Sequence, residues 1–238
     1  MSLLELPIEL IEYIIFKMDN AIDIVNLSVC SRKFNSICRD CRLNKDIHVY
    51  DIKEMDNIKD ALYFNNRLKL KLEIKDNKNI RNTDIKAETF SKLYELGIYR
   101  CYNITDVSTL GNIHTLNLTG CEGIIDVSAL RNVHTLNLSG CEGITDVSML
   151  GNVHTLNLSR CENISDVSTL GNVYNLNLSH CRNITNVSTL ENVHTLNLEG
   201  CYNITNLSSI RNVNTLDLHG YCNINLIIKY FRNKKFLK

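Results

Sequence analysis

The sequence of 238 residues has no tryptophan, one proline and no surplus of charge of either sign. Lys plus Arg number 26, and so do Asp plus Glu, so no net field recruits nucleic acid or an anionic membrane. The apolar N-terminal stretch is interrupted by Glu5, Glu9 and Glu12 and has no basic leader, so neither a signal peptide nor a membrane span is expected. A cytoplasmic location follows as the expectation. No nucleophile–base pair, Gly-rich phosphate loop or CxxC motif rises above chance. A binding protein without catalytic residues, cofactor or metal is therefore expected, not an enzyme. The length suits one or two domains, and the abundance of Asn, Ile and Lys matches coding by an AT-rich genome.

From Cys101 to Gly220 one sentence is written six times. The unit that starts at Val133 runs Val133-His134-Thr135-Leu136-Asn137-Leu138-Ser139-Gly140-Cys141 through Ile144, Asp146, Val147, Ser148 and Leu150, and Val153 starts it again. The period is 20 residues without insertion, so Cys101, Cys121, Cys141, Cys161, Cys181 and Cys201 share one column. A fixed period in this range marks a solenoid, because one unit is too small to close its own core. The alternating Leu136 and Leu138 read as a short inward-facing strand, and Cys141, Ile144, Val147 and Leu150 supply the return path. Six of the ten cysteines are thus small buried hydrophobes and not a disulfide framework. The column Asn103, Gly123, Gly143, Asn163, Asn183, Asn203 holds only Gly and Asn, which predicts a left-handed backbone position. The column Asp106, Asp126, Asp146, Asp166, Asn186, Asn206, each followed two residues later by Ser, predicts a cap on a short helical or 3₁₀ turn.

Strand alternation sends the Thr, Asn and Ser columns to the face opposite the Leu pair, a neutral polar carpet expected to be concave. Interface energy concentrates in aromatic and Arg residues. The departures from the carpet, Tyr94, Tyr99 and Arg100 at the start and Arg160, Tyr174 and His180 at the middle, are therefore the candidate target-binding residues, in two clusters. His114, His134, His154 and His194 line an edge column interrupted by Tyr174. Their ring nitrogens suit a transition metal, but duplication of the unit explains the column and no carboxylate or thiolate column stands beside it, so no metal is assigned.

Residues 4–46 lie outside the repeat and predict three short helices with more apolar surface than they can hide among themselves. Leu6-Pro7 with Glu9, Ile14 and Ile15, then Leu27-Ser28-Val29-Cys30-Ser31-Arg32-Lys33-Phe34, resemble an F-box. Leu43-Asn44 stands where many members carry a Leu-Trp pair. The resemblance implies docking on the Skp adaptor of a cullin-RING ubiquitin ligase, with Leu6, Pro7, Ile8, Leu27, Cys30 and Phe34 as contacts. A helical cap on the solenoid is the alternative for this segment. Cys141-Glu142-Gly143-Ile144-Thr145-Asp146 is similar to the cysteine-containing leucine-rich repeats that accompany F-boxes, of the kind found in large DNA viruses or AT-rich eukaryotes. A host-cytoplasm location would follow for a viral chain. The segment Asp146-Val147-Ser148-Met149-Leu150 also looks like the shorter phosphatase-regulator and internalin type.

The expected architecture is an α/β leucine-rich-repeat solenoid with short parallel strands, preceded by a small three-helix F-box. It divides into the F-box (4–46), irregular longer repeats (47–92), the regular array (93–220) and a C-terminal cap (221–238), for which membrane binding is a less common alternative. The short unit predicts that the convex side lacks full helices. The implied function is the substrate-recognition subunit of an SCF-type ubiquitin ligase, the repeats binding an unknown target protein. A free-standing repeat scaffold is the alternative.

Overall fold

In the computed structural model, residues 45–48, 70–75, 78–85, 90 and 93–220 are described. The expected F-box helices, the helix read over Met55 to Leu62 and the cap over 221–238 lie outside these residues. Among the described residues, nine strands form a single parallel sheet in sequence order: β1 (Lys45–His48), β2 (Leu70–Lys75), β3 (Glu95–Tyr99), β4 (Thr115–Asn117), β5 (Thr135–Asn137), β6 (Thr155–Asn157), β7 (Asn175–Asn177), β8 (Thr195–Asn197) and β9 (Thr215–Asp217). Neighbours pair without slip, Thr115 with Thr135, Leu116 with Leu136 and Asn117 with Asn137, so each sequence column becomes a physical row across the sheet.

The return path holds no long helix among the described residues. It is made of 3₁₀ turns at Ser108–Leu110, Ser128–Asn132, Ser148–Leu150, Ser168–Asn172, Leu190–Asn192 and Ser209–Asn212. A unit of 20 residues that spends three on a strand has no room for a full helix on the way back. Each turn is closed as the sequence predicts. The Asp126, Asp146 and Asp166 carboxylates accept the backbone N–H of Ser128, Ser148 and Ser168, each at 2.8 Å, and Asn186 and Asn206 do the same for Ser188 and Ser208 at 2.9 Å. That bond from the following Ser holds Asp126, Asp146 and Asp166 below the usual carboxylate range.

The core is one continuous column of seven apolar side chains per unit. In the third unit Val133, Leu136, Leu138, Cys141, Ile144, Val147 and Leu150 are all buried, each contributing roughly 1.5–3 kcal/mol for a full-sized apolar side chain. The six repeat cysteines are buried and none is in a disulfide. Each thiol from Cys121 onward also donates to a carbonyl of the preceding repeat: Cys141 Sγ to Leu118 O at 3.1 Å, Cys161 to Leu138 O at 3.1 Å, Cys181 to Leu158 O at 3.0 Å and Cys201 to Leu178 O at 2.9 Å. The column therefore takes a residue that is both apolar and a weak donor.

The left-handed position falls three residues before the column the sequence predicts. Positive φ occurs at Gly120, Gly140, Gly200 and Gly220, and at Arg100, Arg160 and His180 in the same column. There the chain leaves the strand while its N–H reaches the next repeat, Gly140 N to Ser159 O at 2.8 Å and Arg160 N to Ser179 O at 2.8 Å. The Gly and Asn column has a different cause, the close approach of the preceding turn's carbonyl. A Cβ at Gly143 would meet Ile124 O at 2.5 Å and Glu122 O at 2.7 Å, whereas Asn163 and Asn203 turn the same approach into a bond, donating to Glu142 O at 2.8 Å and Arg182 O at 2.7 Å.

Candidate protein-binding face

With Leu136 and Leu138 committed to the core, Thr135, Asn137 and Ser139 fall on the open face of the sheet, as do their counterparts. These columns are more occupied than a free polar carpet. Each Asn oxygen accepts the N–H two residues on, Asn137 from Ser139 at 2.9 Å and Asn157 from Ser159 at 2.9 Å, so the Asn column closes the turn at the strand's end. The Ser column is partly withdrawn as well. Ser159 and Ser179 are buried, contrary to their expected exposure, and the Ser159 hydroxyl donates to Ser139 Oγ at 2.8 Å. A serine two residues past the strand's end has already begun to follow the turn away from the face.

The departures from uniformity fall on two rims and not in the two expected clusters. At the rim where the strands begin, Tyr94, His114, His134, His154, Tyr174 and His194 stack as one ladder, with ring centroids 4.5–4.9 Å apart and interplanar angles of 9–21°. Tyr94 and Tyr174 are thus partners in one row. The geometry follows from unslipped pairing, which sets rings at strand spacing. Near-parallel rings also aim their nitrogen lone pairs side by side, not toward a common point. No grouping of three or more His, Cys, Asp or Glu suited to a metal occurs among the described residues. His134 and His154 instead bring Nδ1 within 3.3 and 3.2 Å of the hydroxyls of Thr135 and Thr155.

At the opposite rim, where the strands end, Arg100, Arg160 and His180 occupy the left-handed column. A non-glycine residue there costs roughly 1–2 kcal/mol. Arg100 and Arg160 are exposed, and His180 is half-buried with Nε2 3.9 Å from Glu199 Oε1. Glycine in the next repeat gives two of these side chains their place: a Cβ at Gly120 would lie 3.0 Å from Arg100 Cγ, and one at Gly200 would lie 2.5 Å from His180 Nδ1.

Tyr99 is built differently. Its ring lies over Gly97, where a Cβ would meet it at 2.5 Å, in the row that Asn117 and Asn137 fill in later repeats. Its hydroxyl donates to Glu73 Oε1 at 3.4 Å, Glu73 Oε2 pairs with Lys75 at 2.7 Å, and Lys75 Nζ stands 5.4 Å from the ring centroid. Farther along, His219 Nδ1 lies 2.7 Å from Asp217 Oδ1; this bond raises the imidazole, while bonding from His219 holds the carboxyl down. Sequence reasoning missed the unity of the ring ladder, although the spacing of 20 residues from Tyr94 to His194 carried it. Leu6, Pro7, Ile8, Leu27, Cys30 and Phe34 lie outside the described residues.

No curated protein sequence matches the chain. Among solved structures, it is similar to internalin C2 from Listeria monocytogenes, with 21% identity and a TM-score of 0.46 over 70% of this chain and 83% of that one. It is also similar to the functional domain of InlJ from Listeria monocytogenes, which includes a cysteine ladder, with 15% identity and a TM-score of 0.34 over 72% of this chain. There the match spans 46% of the InlJ chain. Residues 3–46 match the family model of the F-box domain, and the repeat array follows on the same chain.

Proposed function

We propose that this protein is the substrate-recognition subunit of an SCF-type ubiquitin ligase. The observation that carries the reading is the F-box match at residues 3–46 on the same chain as a regular repeat sheet with an open face. F-box domains bind Skp adaptors, and the repeats then hold a target protein for ubiquitin transfer by other subunits. The role is recognition and not catalysis: the side chains on the open face are hydroxyls and amides, largely spent on closing their own turns. A cytoplasmic location, or the host cytoplasm for a viral chain, accompanies this reading.

The test is co-purification of the full chain with a Skp adaptor, beside the double variant Leu6→Ala and Pro7→Ala. Interface energy concentrates in a few buried apolar anchors, so the variant is expected to lose the adaptor while retaining the circular dichroism and melting of the repeat array. Adaptor capture by the double variant at the wild-type level would overturn the assignment.

A further inference from the structure

The Asn row of the open face carries donors that the fold leaves over. Asn117, Asn137, Asn157 and Asn177 each turn Oδ1 to the backbone N–H two residues on, at 2.9–3.0 Å, which fixes the end of the carboxamide that remains. That end is an NH₂ group, and in these four it has no partner among the described residues. The cause lies one strand on, where the next Asn oxygen is already committed to its own turn. Asn197 shows what such a group takes. There the next strand carries Asp217, and Asn197 Nδ2 donates to Asp217 Oδ2 at 3.3 Å. From β4 to β7 the face thus holds four donors of the same kind, one strand step of about 4.8 Å apart.

The acceptor that suits them is a neutral oxygen. The charge of Asp217 is offset by His219, whose Nδ1 lies 2.7 Å away. The Thr, Asn and Ser rows across β4 to β7 hold no charged side chain, so a carboxylate desolvated against them would go uncompensated. Main-chain carbonyls are the neutral alternative, and spacing selects their conformation. A β-strand repeats its carbonyls along one edge every ~6.8 Å, out of step with the row. A polyproline II helix has three residues per turn and repeats them on one side every ~9.3 Å, against about 9.6 Å for two strand steps. The ring ladder runs alongside, next to the Thr row that His134 and His154 contact through Thr135 and Thr155. The exposed rings of His134, His154 and Tyr174 form an aromatic border of the kind that proline-rich segments pack against.

We infer that the open face from β4 to β7 binds a proline-rich segment of the target in polyproline II conformation, laid across the strands between the ring ladder and the Asn row. The inference rests on the reading of the repeats as the target-binding part. Carbonyls three residues apart accept from Asn117 and Asn157, or from Asn137 and Asn177, while the pyrrolidine rings rest against the ladder. Proline has no N–H to satisfy, which suits an Asn row that offers donors only. Its fixed backbone also lowers the entropy lost on binding.

The experiment uses the purified full chain without adaptor, so failure here and failure of adaptor capture are separate results. Fluorescence anisotropy would follow labelled decaproline and, as a flexible uncharged probe of equal length, a Gly-Ser decapeptide. Decaproline is expected to bind saturably with little dependence on salt, and the Gly-Ser peptide to bind at least about tenfold more weakly. Asn177→Asp keeps an oxygen for the Ser179 N–H, as Asp217 does for His219 N at 3.0 Å. It removes the NH₂ group of residue 177 and offers Asn157 the acceptor that Asp217 gives Asn197, so one substitution breaks both donor pairs. The variant is expected to lose at least about fivefold in decaproline affinity at an unchanged melting temperature. Tyr174→Ala opens the aromatic border and is expected to weaken decaproline likewise. No saturable binding of decaproline, equal affinity for the Gly-Ser peptide, or unchanged decaproline affinity in either variant would overturn the inference.

Discussion

A thiol inside a solenoid core can serve as a small hydrophobe or as a donor, and in this array it does both. Inward placement was legible from one Cys per unit in an apolar column. The bond from Cys161 Sγ to Leu138 O was not, because it joins residues 23 apart through the stacking of repeats. Burial pushes the Cys121 and Cys161 thiols up to about 12 and Cys201 up to about 11, and raises Cys141 and Cys181 likewise. Because the thiolate is the nucleophile, the repeat cysteines are expected to resist iodoacetamide in the native protein and to react once the array is unfolded. Peptide-level mass spectrometry reads this directly; rapid native modification of the six would contradict the inward column. The turn carboxylates set a second expectation. Asp126, Asp146 and Asp166 have folded values below their unfolded ones, so their contribution is present above the unfolded value of about 3.9. It is lost as pH falls through the lower folded values. Replacing all three by Asn keeps the acceptor, as Asn186 and Asn206 already do. The variant is expected to match the wild type near neutral pH and to have a flatter acid limb in melting temperature. An unchanged acid limb would show that these carboxylates do not govern it.

At the scale of the element, strand, turn and register were legible because the unit repeats without insertion. The left-handed position was not. Gly and Asn favour positive φ wherever they occur, and composition alone does not separate that preference from a need for space or for an amide bond. The distinction is open to mutation. Gly143→Asn is expected to be tolerated, its amide donating to Glu122 O as Asn163 donates to Glu142 O, whereas Gly143→Ala meets the same carbonyls with no bond to offset them. Gly140→Ala is expected to cost about 1–2 kcal/mol from φ 69° alone, since the nearest atom to its Cβ would be 3.8 Å away. Equal losses at Gly143→Ala and Gly143→Asn, measured by urea denaturation, would reinstate the conformational reading. In the core, Leu156→Ala opens a cavity between stacked units and is expected to cost about 2–5 kcal/mol. Hydrogen exchange should show β5 to β7 losing protection ahead of the rest; a loss spread evenly over β3 to β9 would mean that the array does not behave as stacked neighbours.

For the whole molecule, unslipped pairing implies that a complete unit is removable. Deleting residues 133–152 joins Asn132 to Val153 with every column still in register, so the shortened chain is expected to fold with a reduced denaturant slope. Deleting only half of that unit would turn the Leu rows out of register and is expected to abolish cooperative melting. The F-box was legible because Leu6-Pro7 and the Val29-Cys30 to Phe34 run specify it by residue identity. The open face was half legible. Single residues stood out from the repeat, but their grouping into a ring ladder and a basic rim depends on which end of the strand each one occupies. The central claim is that the segment proposed to bind the adaptor and the repeat array are separable parts of one chain. Titration with a Skp adaptor, together with melting of the repeat array, for the wild type, the Leu6→Ala and Pro7→Ala double variant, and Leu156→Ala tests it most directly. The double variant should lose the adaptor and keep the wild-type melting of the array, and Leu156→Ala should destabilise the array and keep the adaptor; loss of both together in either variant, or an unchanged adaptor affinity in the double variant, would contradict the account.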